Sequence, residues 1–283
     1  MKRNTNHHCR YLCLFAIFCG LSFSAVAQHQ VQIVTKTITK TIPYREGDVL
    51  KILAEKANVV ITTWSREEIG LSLRLISKHK KKEIAENELY YLKYEIKSEN
   101  GIHVIRNFFA SVGNFRNVKG ALSCEYELKI PRKLAIELVN KYGRVSIEGL
   151  DADLNARLQF VELRLTKCEG TQLVNSFFGE ILTSDGGGTL VLEMQKTNAE
   201  LVAFKGAVSV LASYGKVNVT GDKLSSFTME GERTEASLLF TNPQMYNYDL
   251  TTSFSRITLP DRIDFETQST NGFVKAFHTS YPL

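Results

Sequence analysis

The sequence is poor in the residues and patterns that announce chemistry. It has five cysteines in 283 residues, and Cys9, Cys13 and Cys19 fall within the first 27. Cys124 and Cys168 alone remain downstream; an exported chain can oxidise such a pair, sequence does not place their atoms, and two buried thiols account for them as well. His29, His79, His103 and His278 are dispersed, which excludes a metal centre built on histidine spacing. There is no Gly-x-Ser-x-Gly nucleophile elbow. Gly186-Gly187-Gly188 is not followed by Gly-Lys-Ser/Thr, which excludes a phosphate-binding loop. Charge is nearly balanced: the formal net charge of +5 falls to +2 without the first 27 residues, which hold Lys2, Arg3 and Arg10 and no acid. That balance does not suit a nucleic-acid partner. No apolar run, the N-terminal one included, reaches the ~20 residues of a membrane-spanning helix.

What is present begins with a leader. A basic start is followed by the apolar run Tyr11 to Phe23 and the small-residue box Ala25-Val26-Ala27 before Gln28. This is the pattern of a secretory signal peptide over residues 1–27. No cysteine stands at the cleavage point, so a lipoprotein anchor is not expected. The chain is expected to be exported, to the periplasm or the cell surface, with no membrane span after signal removal.

The strongest internal signal is a period. Tyr142-Gly143, Phe178-Gly179 and Tyr214-Gly215 lie 36 residues apart, and Phe254-Ser255 follows after 40. Half that spacing is a template. From Ile136 as position zero, apolar residues fall at offsets 0, 2, 9 and 11, as Ile136, Leu138, Val145 and Ile147. Shifts of 18 give Leu154, Ala156, Leu163, Leu165, then Gln172, Val174, Ile181, Thr183. Leu190, Leu192, Ala199, Leu201 and Val208, Val210, Val217, Val219 follow. Later rungs drift to Phe227, Met229, Leu238, then Tyr248, Leu250, Ile257, Leu259, and finally Ile263, Phe265, Val274. Each rung alternates apolar and polar residues twice, the period of a half-buried strand. Short strands at a fixed period predict a single-stranded parallel β-solenoid, an all-β fold of about 18-residue turns. One rung cannot bury its own apolar edge, but stacked rungs at ~4.8 Å place like residues over like. An antiparallel β-sandwich is the rival fold, since it too shows short, evenly spaced strands.

The predicted organisation is a leader, an N-terminal β-rich capping region over 28–120, and a solenoid over 121–283. Leu50, Ile52, Ala57, Val59 and Ile61 fit the rung template, so the capping region holds an early rung. Ile84, Leu89 and Leu92 among Glu and Lys predict a short helical insertion near 78–94. Asn100-Gly101 predicts a hairpin turn.

Several of these segments together resemble a known family. They are Gly47-Asp48-Val49-Leu50-Lys51-Ile52, Val59 to Trp64, Leu128-Lys129-Ile130-Pro131, and Tyr142-Gly143-Arg144-Val145-Ser146-Ile147-Glu148-Gly149-Leu150 with its echoes. They are similar to the "putative adhesin" family of bacterial exported domains, related to the head of autotransporter-like adhesins. The resemblance covers roughly residues 44 to 275. It implies a β-solenoid in an envelope or surface setting and brings no established catalytic residues. The chain departs from it at Ala57 and Ser255, where glycine is usual.

The function this implies is a non-catalytic structural or adhesin-like binding role in the bacterial envelope, with an envelope protein or glycan as partner and no cofactor. The alternatives are a polysaccharide lyase or hydrolase on a β-helix, or an accessory of an envelope signalling system. No catalytic residue is singled out. The candidate binding residues are the corner aromatics Tyr142, Phe178, Tyr214 and Phe254. Corner packing explains them too. Standing in alternate rungs, they are expected ~10 Å apart, beyond ring stacking. The glycine after each is expected to supply the positive φ of a corner. No metal site is expected. Asp151, Asp153 and Asp185 are the acids a calcium ion would use, and solvated turns explain them as well.

Overall fold

The computed structural model describes residues 31–110, 118–253, 256–259, 263–270 and 274–279. The predicted leader lies outside the described residues, as do Phe254 and Ser255.

Strands β2 (Val49–Glu55) and β3 (Ala57–Trp64) form the early rung. β8 (Ala135–Glu148) and β9 (Leu154–Thr166) each run through a corner and supply both walls of their turn. After them each turn splits in two: β10 (Thr171–Phe177) with β11 (Glu180–Ser184), β12 (Gly187–Gln195) with β13 (Asn198–Val202), β14 (Lys205–Ser213) with β15 (Lys216–Thr220), and β16 (Leu224–Glu232) with β17 (Glu235–Leu239). The first wall stacks β2, β8, β9, β10, β12, β14 and β16 in parallel. The second wall stacks β3, β8, β9, β11, β13, β15 and β17 in parallel. This is a β-solenoid, and the sandwich reading is excluded by the register. Val59, Val145, Leu163, Ile181, Ala199 and Val217 pair in unbroken succession, and all are buried. A second column, Leu50, Ile136, Leu154, Gln172, Leu190 and Val208, is buried behind the first wall. Each aliphatic side chain in such a column contributes ~1.5–3 kcal/mol of burial, which a lone rung could not collect. The one polar member of that second column, Gln172, donates from Nε2 to the Gly187 carbonyl at 3.3 Å.

The N-terminal part closes the stack by a change of pairing. β6 (Ile102–Phe109) lies parallel on β2, and β7 (Ala121–Pro131) lies parallel on β3. The early rung is thus inserted between two rungs that come later in the chain. Outside it the pairing turns antiparallel. β5 (Leu92–Glu99) covers β6, while β4 (Glu68–His79) covers β7 and is itself covered by β1 (Gln32–Pro43). Asn100 and Gly101, with φ of 50° and 77°, make the two-residue β5–β6 turn. The helical insertion is one short helix, α1 (Lys82–Leu89), shorter than the 78–94 window; Leu92 and Tyr94 belong to β5. The buried Glu88 of α1 accepts the Lys119 and Gly120 amides at 2.7 Å each, pinning the chain before β7.

The far end corrects the sequence reading. Parallel stacking stops at β17 among the described residues. β18 (Tyr248–Ser253) and β19 (Glu266–Thr270) pair antiparallel with β20 (Val274–Thr279). Of the residues expected as the last rungs, Tyr248, Leu250 and Val274 lie in this separate three-stranded sheet, and Ile257, Leu259, Ile263 and Phe265 lie in no strand. Their alternation is genuine, but alternation alone does not distinguish parallel from antiparallel partners. No helix among the described residues is long and apolar enough to cross a membrane.

Cys124 and Cys168 are free and buried. Burial pushes the Cys124 thiol up to about 12 and raises that of Cys168 as well.

Candidate functional site

Each turn bends sharply twice between or beside its walls, and both bends use left-handed backbone. At the first corner Lys56, Tyr142, Phe160, Phe178, Lys196, Tyr214 and Arg233 have φ between 50° and 63°. At the second, Gly149, Lys167, Asp185, Ala203 and Gly221 have φ between 52° and 121°. The conformation costs a residue with a Cβ roughly 1–2 kcal/mol, whereas glycine adopts it freely. The second corner uses two glycines, an alanine, an aspartate and one lysine, and no aromatic residue. The first uses large rings and long cations, one in every turn.

The expectation about the glycines is corrected here. The left-handed φ belongs to the aromatic residue, and of the three following glycines only Gly143 (φ 134°) shares it. The glycines are needed for close approach. An added Cβ would lie 2.1 Å from the Ala57 carbonyl oxygen at Gly143, 2.4 Å from that of Val161 at Gly179, and 2.0 Å from that of Thr197 at Gly215. Glycine thus alternates with a residue bearing a side chain, rung by rung. That alternation is the origin of the 36-residue period.

The spacing expectation is corrected too. Phe160 occupies the turn between Tyr142 and Phe178 and stacks on both. The centroids are 5.1 Å apart in each pair, with ring planes within 3° and 8° of parallel. The ladder continues with cations. Lys196 Nζ lies 4.7 Å from the Phe178 centroid. The Arg233 guanidinium lies 5.2 Å from the Tyr214 centroid and donates to the Tyr214 hydroxyl. Phe177, on the first-wall side, meets Phe178 edge-on at 4.4 Å. The ridge remains open to solvent: Tyr142 is 47%, Phe160 40% and Tyr214 43% exposed. Of the four predicted aromatics, the structure places Tyr142, Phe178 and Tyr214 on this ridge, and Phe254 is outside the described residues. Sequence reasoning missed Phe160, Lys196 and Arg233 because it followed the aromatic–glycine pair. Phe160 precedes Val161 and Lys196 precedes Thr197. The 18-residue template, applied to offset 6, would have found both.

The ridge has two different flanks. On the second-wall side Arg144 pairs with Glu162 at 3.1 Å and Lys216 with Glu235 at 2.9 Å. On the first-wall side lies a groove of about 600 Å³, lined by Asn175, Phe177, Glu193, Leu211, Glu230 and Glu232 among others. Asn175 Nδ2 donates to Glu193 Oε2 at 2.9 Å.

The predicted metal candidates are not gathered into a site. Asp153 accepts the Thr171 amide at 3.1 Å, Asp185 is a second-corner residue, and Asp151 forms an isolated parallel bridge with Glu169. Among the described residues no group of three His, Cys, Asp or Glu is placed to hold a metal ion. The triple glycine has a packing role: a Cβ on Gly186 would press on the Phe204 ring, and one on Gly188 would lie 2.3 Å from the Gly170 oxygen.

One hydrogen-bonded chain of polar groups lies elsewhere. The buried His103 bridges Ser98 Oγ (2.9 Å, through Nδ1) and Asp48 Oδ2 (3.0 Å, through Nε2). Burial raises the Asp48 carboxyl, but the His103 contact and the Arg45 amide together outweigh it and hold it below its ordinary range. This chain ties the β5–β6 hairpin to the turn before β2.

No family model matches the sequence, and no curated protein matches it. Solved structures do. One is described as a "putative cell adhesion protein" from Clostridium sporogenes, 11% identical, with a TM-score of 0.33 over 74% of this chain and 100% of that one. Another, from Parabacteroides distasonis, is described as a "putative lipid binding protein"; it is 10% identical, with a TM-score of 0.35 over 73% of this chain and 94% of that one. A third is a "putative adhesin" from Bacteroides fragilis, 11% identical, with a TM-score of 0.30 over 72% and 97%.

Proposed function

We propose that the protein is an exported, non-catalytic binding module of the bacterial cell envelope, adhesin-like in role, which holds an extended glycan along the first-corner ridge. One observation carries this reading. Both corners use left-handed backbone, and only the first spends it on a column of solvent-facing rings with cations laid over them. Strain retained where glycine would relieve it points to a use for the side chains. Rings, cations and a tyrosine hydroxyl in a line are suited to the apolar faces and hydroxyl edges of sugars. A rigid stack repeating at ~4.8 Å suits a ligand that is itself a linear polymer. We propose further that residues 1–27 are removed on export and that the N-terminal antiparallel strands act as a cap, shielding the first rungs from edge-to-edge pairing.

The test is a glycan array followed by calorimetry on the best binder. Wild type is expected to bind, and Tyr142→Ala and Tyr214→Ala are each expected to weaken binding about tenfold, or ~1.4 kcal/mol. The bound glycan should keep its chain length on prolonged incubation. Absence of any binder, or affinity untouched by both substitutions, would sink the reading.

A polysaccharide-active enzyme remains the second reading, because Glu193, Glu230 and Glu232 line one groove. Shortening of the bound glycan, lost in Glu193→Gln and Glu230→Gln, would favour it.

A further inference from the structure

We infer that the ridge selects an acidic glycan carrying one anionic group for every two sugars. This rests on the reading of the ridge as a glycan site and names the ligand's chemistry.

The cations on the ridge are not equivalent to those beside it. Arg144 and Lys216 on the flank are neutralised by Glu162 and Glu235. Lys196 and Arg233 form no ion pair among the described residues. Each is instead laid over an aromatic face, at 4.7 and 5.2 Å, with no carboxylate paired to it. Lys56, in the same column at the other end, turns away to the Phe109 ring at 5.2 Å. Two uncompensated positive charges therefore stand on the line of the ridge, on either side of Tyr214.

Their separation is set by the fold. Lys196 and Arg233 belong to turns two apart, with the Tyr214 turn between them, so their backbones lie ~10 Å apart along the axis. In an extended polysaccharide, successive sugars turn opposite edges to the same side. A substituent on every second sugar therefore meets the ridge at one such interval, with the intervening sugar over Tyr214. The surroundings restrict where an anion can lie. Glu193, Glu230 and Glu232 line the groove on one side, and like charge there repels an acidic chain. The other side is occupied by closed ion pairs. The favourable path is the ridge itself.

Three soluble polymers of equal length discriminate the outcomes: one alternating a uronate with an uncharged sugar, one with a uronate on every sugar, and one uncharged. The alternating polymer is expected to bind best, with affinity that falls as salt rises. Lys196→Gln with Arg233→Gln is expected to lower its affinity at least tenfold and to flatten the salt dependence. Each single variant should give an intermediate loss. Lys167→Gln, an exposed second-corner residue, should change nothing, and thermal unfolding verifies that every variant is folded. Tyr142→Ala should lower affinity while leaving the salt dependence intact. Stronger binding of the fully charged polymer overturns the inferred spacing. Equal binding of the uncharged polymer, unaffected by the double substitution, overturns the inferred charge but leaves the ridge reading standing if Tyr142→Ala still weakens it. Binding that neither set of substitutions affects overturns the ridge reading as well.

Discussion

The two corners of each turn are built on the same left-handed residue and diverge in everything attached to it. At the second corner Gly149 and Gly221 adopt the conformation freely, while Lys167, Asp185 and Ala203 bear its cost without a ring among them. At the first, Tyr142, Phe160, Phe178 and Tyr214 accept the strain and offset part of it by stacking on one another and under Lys196 and Arg233. A parallel aromatic pair is worth ~0.5–1.5 kcal/mol, comparable to the ~1–2 kcal/mol cost of the conformation. The stack thus makes the strained corner tolerable without making it the most stable choice. A solenoid corner is thermodynamically open to either solution. The side chains at the first corner need a reason beyond the turn.

The largest effect is expected at the glycine beside the ridge. Gly215→Ala places a methyl 2.0 Å from the Thr197 carbonyl oxygen, and rigid backbone lies on the other side of that contact. We expect a loss of about 3 kcal/mol in urea unfolding; a loss under ~1 kcal/mol would mean that the rungs can part without cost. A smaller and more pointed effect comes from placing glycine at each corner. Phe160→Gly relieves the backbone but removes the middle ring of the ladder, for a net loss of about 1–2 kcal/mol. Ala203→Gly relieves the same strain and removes only a methyl, for a net gain of about 0.5 kcal/mol after the added chain entropy. Opposite signs in the two unfolding curves are the expected result, and equal signs would show that the ladder does not hold its corner. The smallest effect is chemical. Cys168 sits immediately after the second-corner residue Lys167, is buried, and has its thiol raised by that burial. At pH 8 it should resist iodoacetamide in the folded protein and react once denaturant is added. Rapid labelling of the native state would reveal a second corner that opens easily.

Most of the stack was legible because its determinant is periodic. Side chains at offsets 0, 2, 9 and 11 repeat the same burial problem every 18 residues, and the register solves it each time in the same way. Three features were not legible, each for a physical reason. The early rung at Leu50 to Ile61 lies against β8, across an intervening stretch that includes the hairpin and α1. A template identifies a rung but not its place in the pile. The ring ladder was hidden because Phe160 lacks the glycine that marks its neighbours, and that glycine answers to a carbonyl in the adjacent turn. The antiparallel sheet of β18, β19 and β20 alternates as a rung does, and single-strand alternation is silent about the partner.

The local pattern of residues was enough to require that this chain pile short strands into columns, because apolar residues spaced by 18 cannot be covered within one turn. Tertiary structure alone decided which rung lies on which, where parallel pairing gives way to antiparallel, and that Tyr142, Phe160, Phe178, Lys196, Tyr214 and Arg233 form one continuous exposed ridge. Those outcomes depend on contacts between turns, where a side chain's surroundings come from residues remote in the chain, and no local pattern encodes them.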